Sequence, residues 1–117
     1  MCIFCKIVNN EIPSNKLLEN DDFIAFHDLH PKAPIHVLVV PKNHVDCFQD
    51  VSAEMMAKMT LFVQEVTRLT GIDKTGYRLI TNNGDDGGQE VHHLHFHVMG
   101  GAKLPFGHLS DEPHKNM

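Results

Sequence analysis

The sequence predicts an α+β domain: a mainly antiparallel sheet of about five strands, with one long and one short helix on one face. Three observations lead there. Residues 53 to about 70 place Met55, Met59, Phe62, Val63, Val66 and Leu69 on one helical stripe. Short β-rich runs recur on both sides of that helix, several joined by tight turns, which favours antiparallel pairing. And residues 93–99 alternate histidine with large apolar side chains, the period-2 signature of a strand with one buried face.

Each element has a local reason. Apolar residues at 3, 4, 7 and 8 give residues 2–9 a short helical spacing, broken by Ile12-Pro13-Ser14. Lys16–Glu19 and Phe23–His27 read as a hairpin around an Asn20-Asp21-Asp22 turn. Two prolines make residues 28–34 a loop. Ile35–Val40, nearly all apolar, is expected to be a central strand ended by Pro41. Ser52 is a good N-cap for the long helix and Gly71 a good stop. Tyr77–Thr81 is expected to be another strand, and the turn-rich residues 82–88 deliver the chain to the histidine strand. The domain is expected to span residues 1–101, with residues 102–117 a tail without periodicity.

Composition narrows the function classes. With 117 residues, 42% hydrophobic and 21% charged, the chain suits one globular domain. Ten basic against 15 acidic residues give a formal charge of −5, which argues against a nucleic-acid partner. No apolar run approaches the roughly 20 residues needed to cross a bilayer, and the start lacks the order of a secretion signal. Three cysteines, an odd number, favour a reducing compartment and hence a cytoplasmic location, with Cys2-x-x-Cys5 as a metal or redox pair or two small buried hydrophobes.

The histidines carry the chemistry. His93, His95 and His97 should project from one face while Leu94, Phe96 and Val98 pack behind them. Three imidazoles on a rigid face suit either a metal or an anionic, phosphate-like group, and these residues leave both open.

Taken with their surroundings, these residues resemble the histidine triad (HIT) family. The run 93–99 meets its His-φ-His-φ-His-φ-φ pattern and His36 supplies the upstream histidine. Phe26-His27-Asp28, Pro31-x-Ala33-Pro34-x-His36, Gly87-Gly88-Gln89-Glu90-Val91 and Gly100-Gly101 look more narrowly like the Hint branch. The likeness covers about residues 2 to 101. It implies a HIT-like fold and a purine nucleoside phosphoramidase that cleaves the P–N bond of adenosine or guanosine 5′-phosphoramidates. His95 matches the nucleophile that forms a nucleotidyl-histidine, and a neutral imidazole is competent for that near pH 7. His97 and His36 match the residues that stabilise the phosphoryl oxygens, so no metal is needed at phosphorus.

The remaining carry-overs follow residue by residue. Asp28 matches the ribose-binding carboxylate; Asn82, Gly88 and the backbone around Gln89 and Glu90 match the phosphate loop. Ile3, Phe4, Ile7, Ile12, Phe26 and Leu29 match the purine pocket. Glu90 departs from the serine of many eukaryotic relatives. A structural zinc on Cys2, Cys5, His44 and His93 is implied by bacterial relatives, as two thiolates at this spacing suit tetrahedral coordination. The resemblance also implies a homodimer. Relatives extend a C-terminal tryptophan segment to the partner's site; this chain has no tryptophan, which leaves only Phe106 or His108 for such a role. Rival expectations are a dinucleoside polyphosphate hydrolase of the same family, a nucleotide-binding interaction module without turnover, and a metallohydrolase using His93, His95 and His97 on zinc.

Overall fold

The computed structural model describes residues 2–105. In chain order the elements are α1 (Ile3–Val8), β1 (Lys16–Glu19), β2 (Phe23–His27), β3 (Ile35–Pro41), α2 (Ala53–Thr70), α3 (Ile72–Thr75), β4 (Tyr77–Ile80) and β5 (Phe96–Gly100). A single 3-10 turn at Phe48–Asp50 precedes α2. The five strands form one sheet in the order β1-β2-β3-β5-β4, and every neighbouring pair is antiparallel. The expected architecture is therefore present. The Phe106 and His108 reading, and most of the expected tail, lie outside the described residues.

The hairpin closes as the turn chemistry dictates: Asn20 Oδ1 accepts from the backbone N–H groups of Asp22 and Phe23, both at 2.8 Å. The long helix starts where Ser52 Oγ accepts the Met55 N–H at 3.0 Å and stops at Gly71, whose φ of +80° suits a residue without Cβ. The one-turn α3 that follows, anchored by buried Ile72, was not expected; a four-residue helix has no periodicity to read.

Two expectations need correction. The helices do not share a face. Helix α2 covers Phe23, Ala25, Val37, Val39, Phe96 and Val98 on one side of the sheet, while α1 lies on the other, packing Phe4 and Ile7 against Ile24, Phe26, Leu38 and Val40. Strands β2 and β3 are buried on both faces for that reason, which explains their nearly unbroken apolar sequences.

The histidine strand is also shorter than its alternation. Only Phe96–Gly100 joins the ladder, whose last pair with β3 is Val39 with Phe96. Upstream, Leu94 N–H donates to Val45 O (2.6 Å) and Thr81 Oγ1 donates to His95 O (2.8 Å), so loop contacts replace strand pairing. The in-out pattern survives without the ladder, because Leu94, Phe96 and Val98 all enter the α2-side core.

Candidate active site and candidate metal centre

Strand register puts the chemistry on the α1 side. Leu38 pairs with His97 and His36 with Met99, so His36 and His97 are diagonal neighbours on one face. Their rings meet: His36 Nε2 lies 2.9 Å from His97 Nδ1. The protons follow from the hydrogen bonds. Lys32 N–H donates to His36 Nδ1 at 3.0 Å, so that nitrogen carries a lone pair and the proton sits on Nε2. His36 Nε2–H then donates to His97 Nδ1, which leaves His97 with its proton on Nε2. The neutral state of both rings is favoured as well. Burial pushes His36 below its ordinary value, and burial with the adjacent His95 and His36 pushes His97 down to about 4. Asp28 Oδ2 stands 3.5 Å from His36 Nε2, and its Oδ1 accepts the His30 N–H at 2.8 Å.

His95 has the opposite arrangement. It is 8% exposed, with its ring edge-on to Phe4 (centroids 5.0 Å) and 5.2 Å from the His97 ring. Its Nδ1 donates to the carbonyl of His93 at 2.7 Å, so Nε2 holds the lone pair. One backbone bond thus makes His95 a nucleophile in form, while a relay starting at Lys32 makes His97 a donor.

Two cavities lie on this side of the molecule; His36 and His97 line the larger, while buried His95 lines neither and sits between Phe4 of the smaller and His97 of the larger. The larger, about 500 Å³, is lined by Asp28, His30, Lys32, His36, Ile80, Asn82, Glu90, His97 and Met99. The smaller, about 190 Å³, is predominantly apolar and lined by Ile3, Phe4, Ile7, Phe26, Leu29 and Leu38 together with Pro13, Ser14, Asn15 and His27. Asp28 and His30 border both, joining a greasy slot to a polar one.

The expected site residues mostly converge. Ile12 does not line the slot; it packs on the small core beneath it. The Gln89 side chain turns inward: Nε2 donates to Asp46 O (2.6 Å) and Val91 O (3.1 Å), and Oε1 accepts the Gly84 N–H (2.9 Å), so it ties the loop together. Gly88 in that loop has φ +78°, a conformation a side chain would strain. Lys32, His30, Ile80 and Met99 were missed. Ile80 and Met99 could have been found, since register places them on the His97 face.

The second cluster unites residues far apart in sequence. Cys2 caps the N-terminus of α1, its Sγ accepting the Cys5 N–H at 3.2 Å. The two sulfurs are 3.1 Å apart. His44 Nδ1 is 3.7 and 3.2 Å from the Cys2 and Cys5 sulfurs, and His93 Nδ1 is 3.2 and 3.5 Å from them. Both outer ring nitrogens are occupied: His44 Nε2 by Asp46 Oδ1 (2.6 Å) and His93 Nε2 by Pro41 O (2.8 Å). Each Nδ1 therefore turns a lone pair toward the sulfurs. Two thiols, two imidazole lone pairs and a carboxylate or carbonyl behind each imidazole fit a tetrahedral Cys2His2 site for zinc. The three triad histidines, by contrast, do not converge on one point: His93 Nδ1 faces the cysteines and His95 Nδ1 is held by a carbonyl.

A sheet with this topology, bearing a backbone-primed histidine beside a relayed histidine pair, defines a histidine triad protein. The HIT domain family model matches residues 9–104. A HIT-like protein of Helicobacter pylori is 48% identical over 103 residues, covering 88% of this chain and 99% of that one. A crystal structure of a HIT family hydrolase from Legionella pneumophila superposes with a TM-score of 0.87 at 37% identity, over 91% of this chain and 97% of that one. A histidine triad nucleotide-binding protein from Candida albicans gives 0.79 at 36%, over 84% of this chain and 73% of that one. The chain belongs to the HIT family.

Proposed function

We propose that this protein is a nucleotide hydrolase of the Hint type, a purine nucleoside phosphoramidase acting through His95. The observation that carries the reading is the hydrogen-bond pattern of the two rings, which assigns a lone pair to His95 Nε2 and a proton to His97 Nε2 with the ring centroids 5.2 Å apart. In this reading the purine of a nucleoside 5′-phosphoramidate occupies the apolar slot, its ribose hydroxyls bond Asp28 and its phosphate lies by His97 and Asn82; the continuity of the two cavities at Asp28 and His30 supports it. His95 Nε2 attacks phosphorus and forms a P–N bond to the imidazole, while the P–N bond to the amine breaks and the amine leaves with a proton taken from solvent, which the attacking water later returns. Water then attacks phosphorus, releasing nucleoside monophosphate and restoring His95. His97 Nε2–H donates to a non-bridging oxygen that gains charge in both steps, the electrostatic part of the catalysis.

Zinc on Cys2, Cys5, His44 and His93 would hold α1, the 41–46 segment and the start of the histidine run together, supplying structure and no chemistry at phosphorus. The exposed Tyr77 and Leu79 of β4, with Leu61 of α2, support pairing with a second copy along this edge.

The test is side-by-side hydrolysis of adenosine 5′-phosphoramidate and diadenosine polyphosphate by the wild type and His95→Ala. The expected result is preference for the phosphoramidate and loss of activity in the variant, with acid-labile labelling of His95 during turnover. Faster diadenosine cleavage would move the protein to the polyphosphate hydrolases. Equal hydrolysis by His95→Ala would refute the mechanism.

A further inference from the structure

His93 belongs to both clusters. Its imidazole enters the cysteine group while its carbonyl is the acceptor that fixes the His95 tautomer. The ring is fully buried and fastened at both nitrogens, to sulfur on one side and Pro41 O on the other. The chain that follows is held at two further points, by Leu94 N–H to Val45 O and, two peptides on, by Thr81 Oγ1 to His95 O. A second arm leaves the same cluster: His44 bonds the Asp46 carboxylate, and the Asp46 carbonyl accepts from Gln89 in the phosphate loop. Cys2 and Cys5 also anchor α1, which carries Phe4 against the His95 ring.

We propose that His93 is a positioning residue, and that a divalent metal held by Cys2, Cys5, His44 and His93 sets the reactivity of His95 by locking the His93 carbonyl on its Nδ1–H. This rests on the reading of His95 as nucleophile and extends it. The metal side fixes the acceptor; the acceptor fixes the proton; the proton decides which nitrogen can attack. Loosening the ring of His93 lets its carbonyl swing, and the imidazole is then free to rotate or exchange tautomers.

The probe is Zn²⁺ itself. Protein labelled with ¹⁵N in its histidines, loaded with Zn²⁺ or stripped by a chelator, is read by two-bond ¹H–¹⁵N correlation. In the loaded protein His95 should be a single Nδ1–H tautomer whose proton exchanges slowly. In the stripped protein and in Cys5→Ser, the signal should shift toward a tautomer mixture with exchange about tenfold faster or more. Single-turnover formation of nucleotidyl-His95 should fall about 10- to 100-fold, the scale of a displacement near 1 Å. Should those forms fail to fold, His44→Gln weakens the site at its exposed rim and leaves the other three ligands in place. Identical His95 signals and exchange with and without Zn²⁺ would overturn the proposal, as would failure of the folded protein to bind Zn²⁺. Unimpaired hydrolysis by His95→Ala defeats the nucleophile reading instead, and the tautomer comparison remains a separate result.

Discussion

Lowering the pH from 7 to 5 should destabilise the wild type more than a His97→Gln variant, and the size of the difference follows from the burial of His97. An unfolded histidine titrates near 6.5, whereas in the fold burial and the neighbouring His95 and His36 push His97 down to about 4. Between those values the unfolded chain binds a proton that the native one does not. Native stability is therefore complete above the unfolded value and declines as the pH falls from 6.5 toward 4. At pH 5 the full shift is worth about 2 kcal/mol. His97 keeps some contact with solvent in the larger cavity, so screening reduces this to about 1 kcal/mol. Urea melts of both proteins at pH 7 and 5 isolate the term, because His36, also held low by burial, titrates in both. The wild type should lose about 1 kcal/mol more than the variant, or about 4 °C in melting temperature for a domain of this size. Losses equal within about 0.3 kcal/mol would refute the assignment of His97 as a buried neutral donor.

Two further predictions concern other parts of the molecule. Gln89→Ala removes the partners of Gly84 N–H, Asp46 O and Val91 O; at about 1 kcal/mol per lost bond, part of it recovered by water, urea melts should show a loss of about 2 kcal/mol. The KM for the phosphoramidate should rise more than kcat falls, whereas an unchanged KM would separate the loop from phosphate binding. Leu79→Lys places a charge on an exposed edge-strand position and should shift sedimentation from dimer to monomer; an unaltered sedimentation coefficient would exclude β4 from the interface.

Much of this architecture could be read in advance because its determinants are local. Asn20 writes its own turn, Ser52 and Gly71 mark the ends of α2, and the β1–β2 hairpin lies where the turn residues place it. The side of the sheet taken by α1 could not be read locally, because Phe23 and Ala25 differ from Ile24 and Phe26 only in what covers them. The site shows the same division. The triad histidines announce themselves by spacing, but the group that commits His95 to one tautomer is a carbonyl, which has no sequence signature. The grouping of Cys5 with His44 and His93 depends on chain paths 39 and 88 residues long and came only through resemblance. Gln89 was recognisable as a loop residue, yet its inward turn depends on the Asp46 carbonyl, which long-range packing supplies.

The division of the interior by the sheet also bears on motion. The core under α2 involves an 18-residue helix, whereas the side facing His36 and His97 rests on a helix of six residues that buries only Phe4 and Ile7. A helix so short has no standing of its own in water and persists only while docked. Its amides should therefore exchange through a partial opening well below the free energy of global unfolding, with the sheet and long helix still intact. The wall of the apolar slot thus opens locally rather than with the whole fold. Because α1 carries Cys5 and is capped by Cys2, such an opening would part both sulfurs from His44 and His93 while leaving in place the sheet that carries His36 and His97.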